Sequence, residues 1–232
     1  MKIHVPGVQT FIFGRYGSLL VGLLLLMVLQ PAVDTTVGRY LLEALFITVL
    51  FAGLRAIGVN RRLLAFEVVL LVCSLALNAA GLLTVYHDLF FLGIAGRTLF
   101  MVLVALAILM DLFRSSKVSG DSLAGAVCVY LLTAIISAYG FLLIEYMVPG
   151  SFSFTLGHAR MQLWISQEFY PFFYFSLVTM TTVGYGDMAP VTTAAQTFAT
   201  LEALAGQIYL TILVARLVGM YLVDQQRKEE QE

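Results

Sequence analysis

Apolar residues in this chain fall in long runs rather than in alternation, which is the pattern of membrane helices and not of half-buried strands. Six runs are long enough to cross a bilayer: roughly Gly17–Val33, Tyr40–Gly58, Leu63–Val85, Leu89–Phe113, Leu123–Met147 and Thr192–Val223. A seventh, Phe169–Thr181, is too short. At 1.5 Å per residue it reaches about 20 Å into a hydrocarbon layer about 30 Å thick. The pattern therefore predicts an all-α membrane protein with six transmembrane helices and one re-entrant helix. The first run also reads as a signal peptide, because it follows a basic start. Gln30–Pro31 interrupts its exit and no small-residue cleavage site follows cleanly, so a retained helix is expected.

Composition agrees with the runs and removes several functions. Of 232 residues, 60% are hydrophobic and 12% charged, with a mean hydropathy of +0.94; a soluble domain carries about 25% charged residues. A net charge of −1 argues against a nucleic-acid partner. Cys73 and Cys128 lie inside apolar runs, where helix packing is expected rather than a disulfide. His4, His87 and His158 lie far apart, and no metal-site or nucleophile spacing is present. Neither an enzyme nor an organic cofactor is expected.

Basic residues orient the runs. Lys2, Arg15, Arg55, Arg61, Arg62, Arg114, Lys117, Arg216, Arg227 and Lys228 fall on the side of the two termini, and Arg39, Arg97 and Arg160 on the other. Ten against three predicts cytoplasmic termini in a multi-pass cell-membrane protein, with the short helix dipping in from outside. The last nine residues, "DQQRKEEQE", are expected to extend the final helix or fray, with no cytosolic ligand-binding domain.

The re-entrant helix runs into "TMTTVGYGD", Thr179–Asp187. Non-helical backbone at that depth is tolerable only where it is buried in protein or lines a watery path. Gly184 and Gly186 have no Cβ and so can take φ > 0. Alternating them with Val183 and Tyr185 lets successive carbonyls face one way, while the Val and Tyr side chains pack outward. Such a row of oxygens replaces the water around a desolvated monovalent cation, and Thr182 can add its hydroxyl at the inner end. Pro171 suits the first turn of the short helix, whose carbonyl end then favours a cation at the membrane centre.

This stretch resembles the selectivity signature of potassium channels almost letter for letter. The resemblance extends over about Ser122 to Val223, in the order outer helix, pore helix, filter and inner helix. It implies a four-helix membrane domain over 1–121, a pore domain over 122–223 and a short tail over 224–232. It implies further that K+ is the permeant ion, with Thr182, Val183, Gly184 and Tyr185 as ion-coordinating residues. Gly186 would complete the strand, Asp187 would sit behind the outer mouth, and Thr179 would be part of the support. One filter copy per chain implies a homotetramer in the lipid bilayer. Gly206, 19 residues past Asp187, matches the family's hinge glycine. The family commonly carries two tryptophans that brace the filter, where this chain has Tyr174 and Phe175. Tyr174 can still donate a hydrogen bond, with Asp187 as one acceptor, and Phe175 cannot. A weakly selective cation channel and a non-conducting K+-binding transport or sensor subunit are the alternatives.

Voltage-gated relatives of such a pore carry several arginines along the fourth helix. Here Arg97 stands alone in "LFFLGIAGRTLFMVLVALAILMDLFR", so steep voltage gating is not expected. Glu43 is a candidate partner for Arg97, and Arg55 or Arg114 for Glu67. Glu202 is a second kind of intramembrane acid, one turn before Gly206. It reads as part of a cavity ring, as a hydrogen-bond partner of Thr179 behind the filter, or as a helix contact. Gln207 and Thr211 share a helical face and are expected to line a cavity. Arg216 is expected to snorkel to the interface.

Overall fold

The computed structural model describes residues 14–29, 65–66, 68–74, 76–77, 87–114, 120–154 and 169–229. Its elements are α1 (Arg15–Leu29), α2 (His87–Arg114), α3 (Gly120–Met147), β1 (Phe152–Phe154), α4 (Phe169–Met180), β2 (Met188–Pro190) and α5 (Thr193–Glu229). Residues described between 65 and 77 are helical as well. The expected second run, with Glu43 and Arg55, lies outside the described residues, as does Glu67.

Among the described residues, three helices are long and apolar enough to cross a membrane: Phe91–Arg114, Gly120–Met147 and Thr193–Arg216. They coincide with the fourth, fifth and sixth runs. The helix of the first run spans 15 residues, and α4 spans 12, which is about 18 Å at 1.5 Å per residue. That is little over half the hydrocarbon thickness. The final helix continues through the charged segment to Glu229.

The chain forms two compact units. The first draws on 1–59, 104–131 and 209–232, and the second on 60–103 and 132–208. In the first unit, α1 is fastened at its start. The amides of Tyr16 and Gly17, among the N-terminal donors that a helix cannot satisfy itself, both donate to Asp121 Oδ1, at 2.8 and 3.4 Å. Tyr16 is buried and its hydroxyl donates to Asp111 Oδ2 at 2.6 Å. Tyr209 donates to the Ala126 carbonyl at 2.6 Å. Arg216 donates to the carbonyl of Leu112 in the last turn of α2 and lies 5.3 Å over the Phe113 ring, a fixed set of partners rather than a free reach to the interface.

The second unit is built on aromatic packing around Phe141, which is fully buried. Its ring meets Phe152, Phe175 and Phe198 edge-on at 5.0–5.5 Å. β1 and β2 pair antiparallel, Phe152 opposite Pro190 and Phe154 opposite Met188. The pairing is prolonged by the Val191 amide, which donates to the Ser151 carbonyl at 2.7 Å. β2 begins one residue after Asp187. The far end of the glycine-rich stretch is therefore tied down next to the end of α3.

Candidate functional site

The site grows out of the C-terminal end of α4. The Thr182 amide donates to the Thr179 carbonyl and the Val183 amide to the Val178 carbonyl, each at 3.0 Å. These are the two bonds of a Schellman cap, which places Thr182 at the position where a left-handed residue, usually glycine, closes a helix. Thr182 does adopt φ 58°. A β-branched residue there is strained by about 1–2 kcal/mol.

From that residue the backbone alternates. Thr182, Gly184 and Gly186 have φ of 58°, 58° and 76°, and Val183 and Tyr185 between them do not share the positive sign. Residues 181–186 are exposed in the single chain. The left-handed torsions at the glycines need the missing Cβ, since a side chain would be strained there whatever the space around it. The glycine spacing made two of the three left-handed positions legible. The third, at Thr182, comes from the helix cap, which the letters do not reveal.

Asp187 is held beside this strand. Tyr174 Oη donates to its Oδ2 at 2.8 Å, and the Met188 amide donates to Oδ1 at 3.1 Å. The rings of Tyr174 and Tyr185 lie nearly parallel, 4° apart in plane with centroids 6.4 Å apart. Phe175 is buried, and its ring neighbours are Phe141 and Phe152. Tyr174 thus meets Asp187 and Tyr185, while Phe175 meets Phe141 and Phe152.

The inner-helix residues separate. Glu202 is 5% exposed, and its Oε1 contacts Ser176 Oγ rather than Thr179. Ser176 was not among the residues that the sequence singled out, because a lone serine in an apolar helix carries no pattern. Gly206 is buried, and a Cβ built on it would lie 3.0 Å from the Met180 carbonyl oxygen. Gln207 and Thr211 are exposed along α5. Arg97 donates to Tyr139 Oη at 3.2 Å and lies 5.7 Å from that ring's centre. Tyr139 in turn packs on Phe169 at the start of α4, with centroids 4.3 Å apart.

Residues 141–223 match the ion-channel family Ion_trans_2. Among curated proteins, the chain is similar to two pore potassium channel b of Oryza sativa subsp. japonica, 34% identical over 87 residues, covering 38% of this chain and 25% of that protein. It is also similar to potassium voltage-gated channel subfamily A member 7 of Homo sapiens, 42% identical over 60 residues, 26% of this chain and 13% of that one. Human potassium voltage-gated channel subfamily A member 6 is 40% identical over 60 residues, 26% of this chain and 11% of that one. The matched part thus spans a quarter or less of these relatives. No solved structure matched.

Proposed function

We propose that this chain, whose residues 141–223 match an ion-channel family, is one subunit of a homotetrameric, potassium-selective channel and not an enzyme. Six helices cross the cell membrane with both termini cytoplasmic, residues 1–121 forming a four-helix domain and 122–223 the pore. Four copies of the Thr182–Tyr185 strand converge on one axis. Their main-chain oxygens, with the Thr182 hydroxyl, replace the hydration shell of K+, and ions pass in single file down their gradient. α4, entering from outside, aims its carbonyl end at that axis and adds partial negative charge.

The observation that carries the reading is the sequence of left-handed torsions at Thr182, Gly184 and Gly186. Alternation of that kind turns successive carbonyls to one side, which neither a helix nor an ordinary strand does. The exposure of Val183 and Tyr185 in the single chain fits side chains that pack against neighbouring subunits. Gating is not steeply voltage-dependent, because Arg97 is held by Tyr139 and is one charge where three or four per subunit are needed.

Reconstitution of the full chain in a planar bilayer under opposed K+ and Na+ gradients tests this. A reversal potential near the K+ equilibrium value is expected. A value near zero would favour a weakly selective pore, and a verified tetramer that passes no current would favour a K+-binding subunit.

A further inference from the structure

Glu202 is an acid buried inside a membrane-length helix, where an isolated charge is costly. What surrounds it decides its form. Ser176 Oγ lies 2.7 Å from the Ala134 carbonyl oxygen and also contacts Glu202 Oε1. Two hydrogen bonds need two protons, and a serine hydroxyl has one. The Ala134 carbonyl has none to give. With the Ser176 proton given to the Ala134 carbonyl, a full second hydrogen bond takes its proton from the carboxyl of Glu202.

Two further observations agree. No cation faces the carboxyl among the described residues; the Ser137 hydroxyl of α3 does, and it can donate to either form. Glu202 Oε2 is buried without a hydrogen-bond partner among the described residues. As the carbonyl oxygen of a neutral acid this is an under-satisfied acceptor, whereas on a carboxylate it would be an unpaired buried charge.

We propose that Glu202 is held as the neutral acid and acts as a positioning residue for α4, donating to Ser176, which donates to the Ala134 carbonyl. The relay joins α5, α4 and α3 in one line of hydrogen bonds. It enters α4 at Ser176, next to the Leu177, Val178 and Thr179 carbonyls whose bonds close the helix cap and launch the strand. The proposal deepens the channel reading, because what the relay holds in place is the foot of the filter.

The test compares the full chain in lipid with Glu202→Gln, Glu202→Leu and Ser176→Ala. Infrared spectra of the reconstituted protein are expected to show a protonated-carboxyl carbonyl band that vanishes in Glu202→Gln. The Gln amide can still donate to Ser176, so its unfolding temperature and current decay should match wild type. Glu202→Leu and Ser176→Ala should unfold at lower temperature, and their currents should decay on the order of tenfold faster, the scale of one lost hydrogen bond to a buried partner. No band in the wild type, or a band that survives Glu202→Gln, overturns the neutral acid. Wild-type unfolding or decay in Glu202→Leu overturns the positioning role. If even the wild type passes no current, the channel reading falls, while the infrared and unfolding results still decide the relay.

Discussion

Gly206→Ala separates two reasons for a glycine in the inner helix. A hinge glycine matters during opening, whereas a glycine at a close approach matters in the resting structure. At Gly206 the added Cβ would stand 3.0 Å from the Met180 carbonyl oxygen and 3.4 Å from Met180 Cα. Both atoms are backbone, so relief requires α5 and the end of α4 to part by a few tenths of an ångström. Overpacking of that kind costs about 1–3 kcal/mol. Helix propensity favours Ala over Gly by about 1 kcal/mol. The net effect per subunit ranges from about zero to about 2 kcal/mol destabilising. Gly219 supplies the control, because among the described residues nothing lies within 4 Å of a Cβ built there, so Gly219→Ala carries the propensity gain alone. Unfolding of the two variants side by side in detergent should place Gly206→Ala about 1–3 kcal/mol below Gly219→Ala. Its reversal potential should also drift from that of the wild type, since the displaced end of α4 leads into the proposed filter. Equal stability of the two variants would refute the close-approach argument and leave Gly206 to motion alone.

Three other substitutions follow from the geometry. Thr182→Gly relieves a left-handed β-branched residue, so unfolding measurements should show a gain on the order of 1 kcal/mol, while the loss of a coordinating hydroxyl lowers K+/Na+ discrimination in the reversal potential. Phe175→Trp enlarges a side chain already packed on Phe141 and Phe152, so stability should fall by about 1–3 kcal/mol with no slowing of current decay. Slower decay would show that position 175 braces the filter after all. Arg97→Gln should lose about 1 kcal/mol of stability with its Tyr139 partner and leave the slope of the conductance–voltage curve unchanged; a shallower curve would make Arg97 a sensing charge.

Much of this architecture was legible because membrane helices declare themselves by length and apolarity alone. α2, α3, α4 and α5 coincide with their runs, and the twelve residues of α4 stand out by falling short. The glycines at 184 and 186 were legible for a similar reason, since only glycine takes such torsions freely. What stayed hidden depends on partners far off in sequence. Three-residue strands such as Phe152–Phe154 and Met188–Pro190 carry no period, and their pairing is visible only in space. The Glu202–Ser176 contact spans 26 residues, and an acid in an apolar helix does not name its partner. The same holds for Gly206, whose neighbour Met180 sits on another helix. For Phe175 the letter shows which bond the side chain cannot make, and its packing on Phe141 and Phe152 is visible only in space.

The fastening of α1 by Asp121 has a consequence for synthesis. Tyr16 and the acid that receives its amide are 105 residues apart, so at about 5–20 residues per second the first helix waits about 5–20 s for that acid to be made. Over that interval the amides of Tyr16 and Gly17 are without that acceptor. A chain stopped short of Asp121 would hold a first helix whose start lacks the acceptor that fastens it to α3.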